Sequence, residues 1–398
     1  MASTSLKPPP LSIYVHLPWC EKKCPYCDFN SHAIQNIVPE HDYLEALIVD
    51  LEQEKDFIQD RPVHSIFIGG GTPSLFSPAT IERLLDVISK FGAYDPEVEI
   101  TLEANPGSSE VTRFAGYRAA GINRLSLGVQ SFSDEKLLSL GRVHNGNKAR
   151  RAIEGAHNAG FTNINIDLMF NLPRQDEEEA LTDLEIGLQH SPSHISLYQL
   201  TIEPNTYFAV KPPTLPDEDT SWRIRSALYD MARTNDYYQY EVSAFSKLGS
   251  ECNHNLNVWQ FGDYIGVGAG AHGKISTPQG VIRYIKQKHP ARYMAQSHSL
   301  SFLQNQRSVT PHDLCFEFML NSLRLRNGFQ RRMFSERTGV PWSNLTKTLD
   351  KARSSGFLET DEDYIRPTDL GYRFLDDLVE LFLPEPDATP QLHTDGAG

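Results

Sequence analysis

The chain has 398 residues, a formal net charge of −14, and 39% hydrophobic against 22% charged residues, the balance of a folded globular protein. Its acidity argues against a general nucleic-acid binder, which needs cations to displace phosphate counterions, and no apolar run approaches the ~20 residues that span a bilayer. Met1 to Pro10 lacks the basic-then-apolar pattern of a secretory signal, so a cytoplasmic protein is the expectation.

Residues 1–11 read as a flexible N-terminus. From Ser12 to about Thr201, short β-rich runs alternate with helical patterns. Strands are expected at Ile13–Leu17, Ser65–Ile68, Val98–Glu103, Arg124–Val129, Asn165–Met169 and Ile195–Leu200. Between the first two, Pro39 to Ile58 sets Tyr43, Leu44, Leu47, Ile48 and Leu51 on one helical face. Ser77-Pro78 opens a second helix carrying Ile81, Leu84, Leu85 and Ile88, with the proline where its missing N–H costs nothing. Helical patterns follow near Glu110–Ala120, Lys148–Ala159 and Glu177–His190.

This alternation implies parallel strands joined by right-handed crossovers, in a doubly wound sheet or a partial barrel. Gly69-Gly70-Gly71, Glu103, Gln130, Asp167 and Tyr198 all end successive strands. In a barrel those ends converge on one mouth, whereas an open sheet spreads them along an edge. The expected fold is therefore α/β, with a partial (β/α)6 TIM-like barrel over residues 12–235.

Beyond Thr201 the pattern loosens. Pro212-Pro213 and Pro216 to Asp219 form a turn-rich connector before an amphipathic segment from Trp222 to Ala232. Residues 236–309 read as a barrel-capping and connecting segment, with the five glycines between Gly262 and Gly273 as a loop near ligand or rim. Leu314–Leu325, Phe329–Thr338 and Trp342–Ser354 read as helices, Phe357–Glu359 with Tyr364–Arg366 as a hairpin, and Leu370–Phe382 as a last helix. That order gives a small winged-helix-like α+β domain at 310–383. The polar, Pro-containing residues 384–398 read as a disordered tail.

Three of the five cysteines fall within eight residues, Cys20-Glu21-Lys22-Lys23-Cys24-Pro25-Tyr26-Cys27. In a reducing compartment such grouping points to metal or redox chemistry rather than disulfides. Gaps of three and then two residues let one loop wrap the corner of a cubane cluster, whose four irons ordinarily take four thiolates. Three thiolates leave one iron open to a small molecule. A zinc site completed by His16 or His32 is the competing reading, but zinc sites more often pair two-residue gaps from separate stretches of chain.

Cys-x-x-x-Cys-x-aromatic-Cys directly after a first strand resembles the signature of the radical S-adenosylmethionine superfamily. The resemblance implies a [4Fe-4S] cluster held by Cys20, Cys24 and Cys27, with the fourth iron chelated by the amino and carboxylate groups of S-adenosylmethionine. Tyr14 to Cys20, Gly69 to Pro73, Gly128 to Phe132, Arg142 to Asn145 and Ile166 to Gln175 narrow it further. Together they resemble the oxygen-independent coproporphyrinogen III oxidase family over nearly the whole chain, Ile13 to about Phe382.

The oxidase proper carries a further cysteine two residues after the third ligand, and a longer N-terminal extension. Here Phe29 stands at that place and the first strand begins near residue 12. Both features resemble the HemW-type heme-chaperone subgroup, which lacks the decarboxylation activity. By that resemblance, Tyr14, Gly70, Gly71, Thr72, Glu103, Gln130, Arg142, Asp167, Tyr198 and Thr201 line the S-adenosylmethionine site. The subgroup's His-Asn-x-x-Tyr-Trp motif runs here from His254 to Trp259 with Val258 replacing tyrosine, and its Tyr-Gly-Leu-Pro becomes Phe170-Asn171-Leu172-Pro173.

Imidazole, thiolate and thioether are the usual protein ligands of heme iron. His254, Cys252, His272 and Cys315 are the candidates, with His254 preferred because it sits beside Cys252 and before the glycine-rich stretch. The resemblance implies heme delivery to acceptor proteins, respiratory and membrane-bound ones among them, with only peripheral membrane contact. Nucleic acid is not an expected partner, and homodimerisation is left open. The alternative is the oxidase itself, decarboxylating two propionates by a 5′-deoxyadenosyl radical. A zinc-bearing winged-helix regulator ranks last, because Asp361-Glu362-Asp363 at the wing tip would repel DNA.

Overall fold

The computed structural model describes residues 6, 8–58, 61–296, 301–359 and 361–384. Nearly all of the tail expected at 384–398 lies outside these residues, as does most of the stretch before Pro8. Six parallel strands form the centre: β1 Leu11–Leu17, β2 Val63–Gly70, β3 Tyr94–Ala104, β4 Arg124–Gln130, β5 Asn163–Phe170 and β6 His194–Gln199. They lie side by side in chain order. Their runs are largely buried on both faces, as parallel strands covered by helices require.

The first strand reaches back into the segment expected to be flexible. The Pro9 carbonyl accepts from Arg61 Nη2 at 2.5 Å and the Pro10 carbonyl from Asp263 N–H at 3.0 Å. Helix Glu40–Ile58 buries Tyr43, Leu44, Leu47 and Leu51, and helix Pro78–Phe91 buries Ile81, Leu84, Leu85 and Ile88. Ser77 caps the latter, its Oγ accepting from Thr80 N–H at 3.3 Å. The helix expected over Glu110–Ala120 is two short pieces, Ser108–Val111 and Phe114–Ala119. Arg113, between them, donates to the carbonyls of Ser74 and Leu75, and this tertiary contact breaks the run.

The largest departure lies in residues 236–309, which extend the sheet rather than cap it. β7 Tyr238–Glu241 and β8 Ala244–Ser246 add antiparallel strands at the β6 edge. β9 Asp263–Val267, expected as a loop, is a seventh parallel strand beside β1. β10 His272–Thr277, β11 Gly280–Lys286 and β12 Leu303–Ser308 continue from it as an antiparallel meander. Among the described residues the sheet has twelve strands and does not close, in the order β12-β11-β10-β9-β1-β2-β3-β4-β5-β6-β8-β7.

A second apolar cluster centres on Phe318, whose ring meets Phe261, Phe329 and Phe334 edge-on at 5.0–5.5 Å. Helices Pro311–Ser322, Arg331–Thr338 and Ser343–Ser354 surround it. Tyr364–Ile365 pairs with Phe329–Gln330, and Leu358 bridges Pro367. The expected last helix divides at Phe374 into Asp369–Arg373 and Leu375–Glu380. Phe261 and Val281 belong to this cluster too, so residue 310 does not mark a break in packing.

Candidate functional site

The cysteine loop follows β1 and is closed at its base by backbone. Trp19–Cys20 pairs with His32–Ala33, and within the loop Cys27 N–H donates to the Cys24 carbonyl at 3.1 Å. Tyr26 packs with Leu140, Met169, Leu172, Leu200 and Phe208, which come from the loops and strand ends after β4, β5 and β6. Phe208 N–H donates to the Pro25 carbonyl at 3.0 Å. The loop is thereby held against three other segments at the C-terminal end of the sheet.

The glycine run after β2 is stapled to the same loop. Gly71 N–H donates to the Leu17 carbonyl at 2.8 Å and Thr72 N–H to the Trp19 carbonyl at 2.7 Å. A Cβ on Gly71 would lie 2.5 Å from the Trp19 oxygen, so only glycine permits this approach. Gly70 has φ +114° and abuts the His16 ring, a conformation open to glycine and strained for other residues. His16 Nε2 donates to the Asn30 carbonyl at 2.9 Å, which leaves Nδ1 to accept from Tyr14 Oη at 2.9 Å.

Next to the glycines, Glu103 Oε2 accepts from Gly70 N–H at 3.1 Å. Burial first, and the Asp167 charge second, push its carboxyl up to about 7. Asp167 in turn accepts from Asn165 Nδ2 at 2.8 Å and Ser126 Oγ at 3.3 Å. Arg142 donates to Asn105 Oδ1 at 2.7 Å, the Gly128 carbonyl at 2.8 Å and Cys24 Sγ at 3.7 Å. Asn105 Nδ2 reaches Thr72 Oγ1 at 2.8 Å, so one chain of bonds runs from glycine loop to cysteine loop. Burial raises the Cys20 thiol above its usual range, and a bond with Thr72 acts the other way.

These residues line one cavity of about 840 Å3. Cys20, Cys24, Cys27, Gly70, Gly71, Thr72, Glu103, Gln130, Arg142, Asp167, Tyr198 and Thr201 all face it. β2 and β6 stand four strand spacings apart, roughly 19 Å in a flat sheet at ~4.8 Å per step. Their side chains share one cavity, so the sheet wraps around it as a partial barrel does. Among the described residues no three His, Cys, Asp or Glu side chains converge where a single metal ion would sit; the thiols stand as three separate donors on the wall.

Two expected residues stand elsewhere. Tyr14 does not line the cavity; its ring stacks at 6.3 Å on Phe67, which does. His254 is buried, with Nδ1 3.2 Å from Ser65 Oγ and its ring 5.0 Å from Phe67. Burial first, and Arg124 second, lower its pKa to about 3. Phe67 lines the cavity and His254, packed against it, does not.

Arg124, Arg324, Trp259 and Asn105 line the cavity without having been expected there. Asn105 follows Glu103 in sequence and was within reach of motif reasoning. Arg124 opens a strand and Arg324 lies just beyond the end of a distant helix, so no local pattern marks them. Asn171 has φ 62°, a left-handed conformation that asparagine tolerates better than most residues, and its Oδ1 accepts from Ser221 Oγ at 2.6 Å. The change from glycine at that position is thus accommodated.

A family model described as the radical SAM superfamily matches residues 14–185, and one for the HemN C-terminal domain matches 309–374. The chain is 48% identical over 384 residues to the heme chaperone HemW of Haemophilus influenzae, covering 95% of this chain and 99% of that one. It is 47% identical to the heme chaperone HemW of Escherichia coli, over 96% of this chain and 100% of that one. Its fold matches the solved structure of coproporphyrinogen III oxidase (HemN) from Escherichia coli with a TM-score of 0.80, at 23% identity over 96% and 91% of the two chains.

Proposed function

The chain belongs to the HemW family of heme chaperones within the radical S-adenosylmethionine superfamily, and on that premise we propose that it carries heme to an acceptor protein. The observation that supports this most is full-length similarity, 48% identity over 95% of the chain, to a protein named a heme chaperone. Superfamily membership implies a [4Fe-4S] cluster and S-adenosylmethionine.

Cys20, Cys24 and Cys27 are the ligands proposed for the cluster. They are free, partly accessible thiols on one cavity wall, and three thiolates leave one iron of a cubane without a protein ligand. When bound, that open iron supplies the position at which S-adenosylmethionine is chelated. Glu103, anchored on Gly70 N–H, suits its ammonium group. Arg142 is committed to Asn105, Gly128 and Cys24, so its proposed role is to hold the Cys24 thiol in place. Thr72, Gln130, Asp167, Tyr198 and Thr201 complete the proposed wall, and Tyr14 supports it through Phe67.

Phe29 supports carriage of heme over decarboxylation of a porphyrinogen. It stands 64% exposed on the cavity wall, where the oxidase pattern has a cysteine. No helix among the described residues is long and apolar enough to cross a membrane. The proposed place of work is the cytoplasm, with a membrane-bound acceptor met peripherally.

The test is anaerobic reconstitution with iron and sulfide, followed by heme titration and an assay for carbon dioxide release from coproporphyrinogen III. Stoichiometric heme binding without decarboxylation is the expected result. Decarboxylation with turnover would overturn the chaperone reading and show that Phe29 is no obstacle.

A further inference from the structure

The four side chains that the sequence offers to heme iron differ in access. Cys252 is fully buried, its thiol donating to Glu99 Oε1 at 3.4 Å. His254 lies behind Phe67. Cys315 is buried, its thiol donating to the Pro311 carbonyl at 3.3 Å. The cysteine-lined cavity has no histidine among its lining residues. His272 alone of the four is exposed.

It opens onto a second cavity of about 580 Å3 between β10–β12 and helix Pro311–Ser322. The two cavities share no lining residue. Strand register builds one wall: His272 pairs with Ile285 and Ile285 with Asn305, while Arg283 pairs with Arg307 two residues along. Cross-strand partners share a face, so an imidazole, an apolar side chain and two guanidinium groups look the same way. The facing helix contributes Phe316 and Leu320, four residues apart on one side of it. Leu383 adds a fourth apolar side chain, and Leu320 and Leu383 are 44% and 50% exposed.

We propose that this groove is the heme site, with His272 as axial ligand, Ile285, Phe316, Leu320 and Leu383 against the ring, and Arg307 facing a propionate. The inference rests on the reading of the chain as a heme carrier. Desolvation, with Lys288 and Arg283 adding to it, holds His272 below the usual imidazole range, so its lone pair is available at neutral pH. Glu317 and Asp313 also line the groove. Arg283 is committed to Glu317 at 2.9 Å and to Tyr264 Oη at 2.7 Å. Arg307 donates to Glu317 at 2.7 Å and lies 3.9 Å from Asp313, but its side chain is half exposed. With five N–H donors, it retains some for a carboxylate. A groove open at the surface lets heme pass to an acceptor without disturbing the cluster cavity.

The experiment titrates ferric heme into the full chain and its His272→Ala, His254→Ala and Leu320→Asp variants, reading the heme absorption band and affinity, with folding checked by circular dichroism. The wild-type chain is expected to bind one equivalent with an imidazole-ligated spectrum. His272→Ala should lose that spectrum and bind at least about ten-fold more weakly, and added imidazole should restore the band. Leu320→Asp should weaken binding while keeping the spectrum, and folded His254→Ala should keep both. His272→Ala with wild-type spectrum and affinity would overturn the proposal and leave the carrier reading standing. So would loss of the band in folded His254→Ala alone, which would move the ligand to that residue. Absence of heme binding by the wild-type chain would remove the premise itself.

Discussion

Gly71→Ala tests whether the glycine run serves the cysteine loop through close packing. The added Cβ would lie 2.5 Å from the Trp19 carbonyl oxygen and 2.8 Å from the Pro18 carbonyl carbon, about 1 Å inside the ~3.5 Å at which such contacts become favourable. Both neighbours are backbone. Relief means pushing residues 17–20 away, which lengthens the bonds from Gly71 to Leu17 and from Thr72 to Trp19, now 2.8 and 2.7 Å, and carries Cys20 with it. Overpacking costs about 1–3 kcal/mol and each weakened hydrogen bond about 0.5–1.5 kcal/mol. A destabilisation of about 2–6 kcal/mol is expected, together with low iron content after reconstitution. Gly69→Ala is the control, because its Cβ meets only side chains, Glu103 Oε2 at 2.9 Å and Phe67 Cε1 at 3.0 Å, rather than backbone. It should weaken S-adenosylmethionine binding and leave the melting temperature near wild type. Melting of the cluster-free proteins by circular dichroism and iron per chain after anaerobic reconstitution decide the matter. A Gly71→Ala protein with unchanged melting and full iron would refute the coupling between glycine run and cysteine loop.

Three further predictions concern the same cavity. Cys20→Ala, Cys24→Ala and Cys27→Ala should each lose most of the about four irons a cubane holds, whereas Cys252→Ser and Cys315→Ser should not; iron and sulfide analysis separates the outcomes. The Glu103 carboxyl, raised from 4.5 to about 7, holds its proton more tightly folded than unfolded, so stability falls as pH rises through that window. Ligand-free Glu103→Gln should therefore be more stable than wild type at pH 8 by about 1–3 kcal/mol, while binding S-adenosylmethionine more weakly; equal urea midpoints at pH 8 would count against the carboxylate's burial. Arg142→Lys replaces a planar fork by a point charge and cannot serve Asn105, Gly128 and Cys24 together. It should release iron faster to a chelator, and an unchanged release rate would show that the bond to Cys24 is incidental.

The six central strands were legible because each is a short, local β-rich run bounded by helical pattern. The site residues were legible for a related reason: parallel strands entering a barrel end at one mouth, so position along the strand already reports position in the site. β9 carried no such signal. Its partner β1 lies some 250 residues earlier, and its glycines look like loop. The glycine in it and the one just after it are there for contact: a Cβ on Gly266 would lie 2.0 Å from the His272 oxygen, and one on Gly268 2.4 Å from the His16 oxygen. Buried charges were hidden in the same way. Lys286 lies 2.6 Å from Asp50 and 2.5 Å from Glu54, and Arg124 3.9 Å from Glu99, though each reads in sequence as a solvated residue.

His254 shows where motif reasoning and fold part company. Adjacency to Cys252 and to a glycine-rich stretch makes it look like a ligand, yet that stretch is the β9 strand and the hinge into β10. Once β9 pairs with β1, the helix Asn253–Trp259 before it is drawn under the sheet, where Asn257 Nδ2 donates to Ser12 Oγ at 2.8 Å and to the Asp263 carbonyl at 2.9 Å. The imidazole goes inside with the helix, against Ser65 and Phe67. His272, at the other end of the same glycine-rich stretch, begins a strand on the outer part of the sheet and keeps its ring in the open. The pairing that removes one histidine from a ligand is the pairing that presents the other.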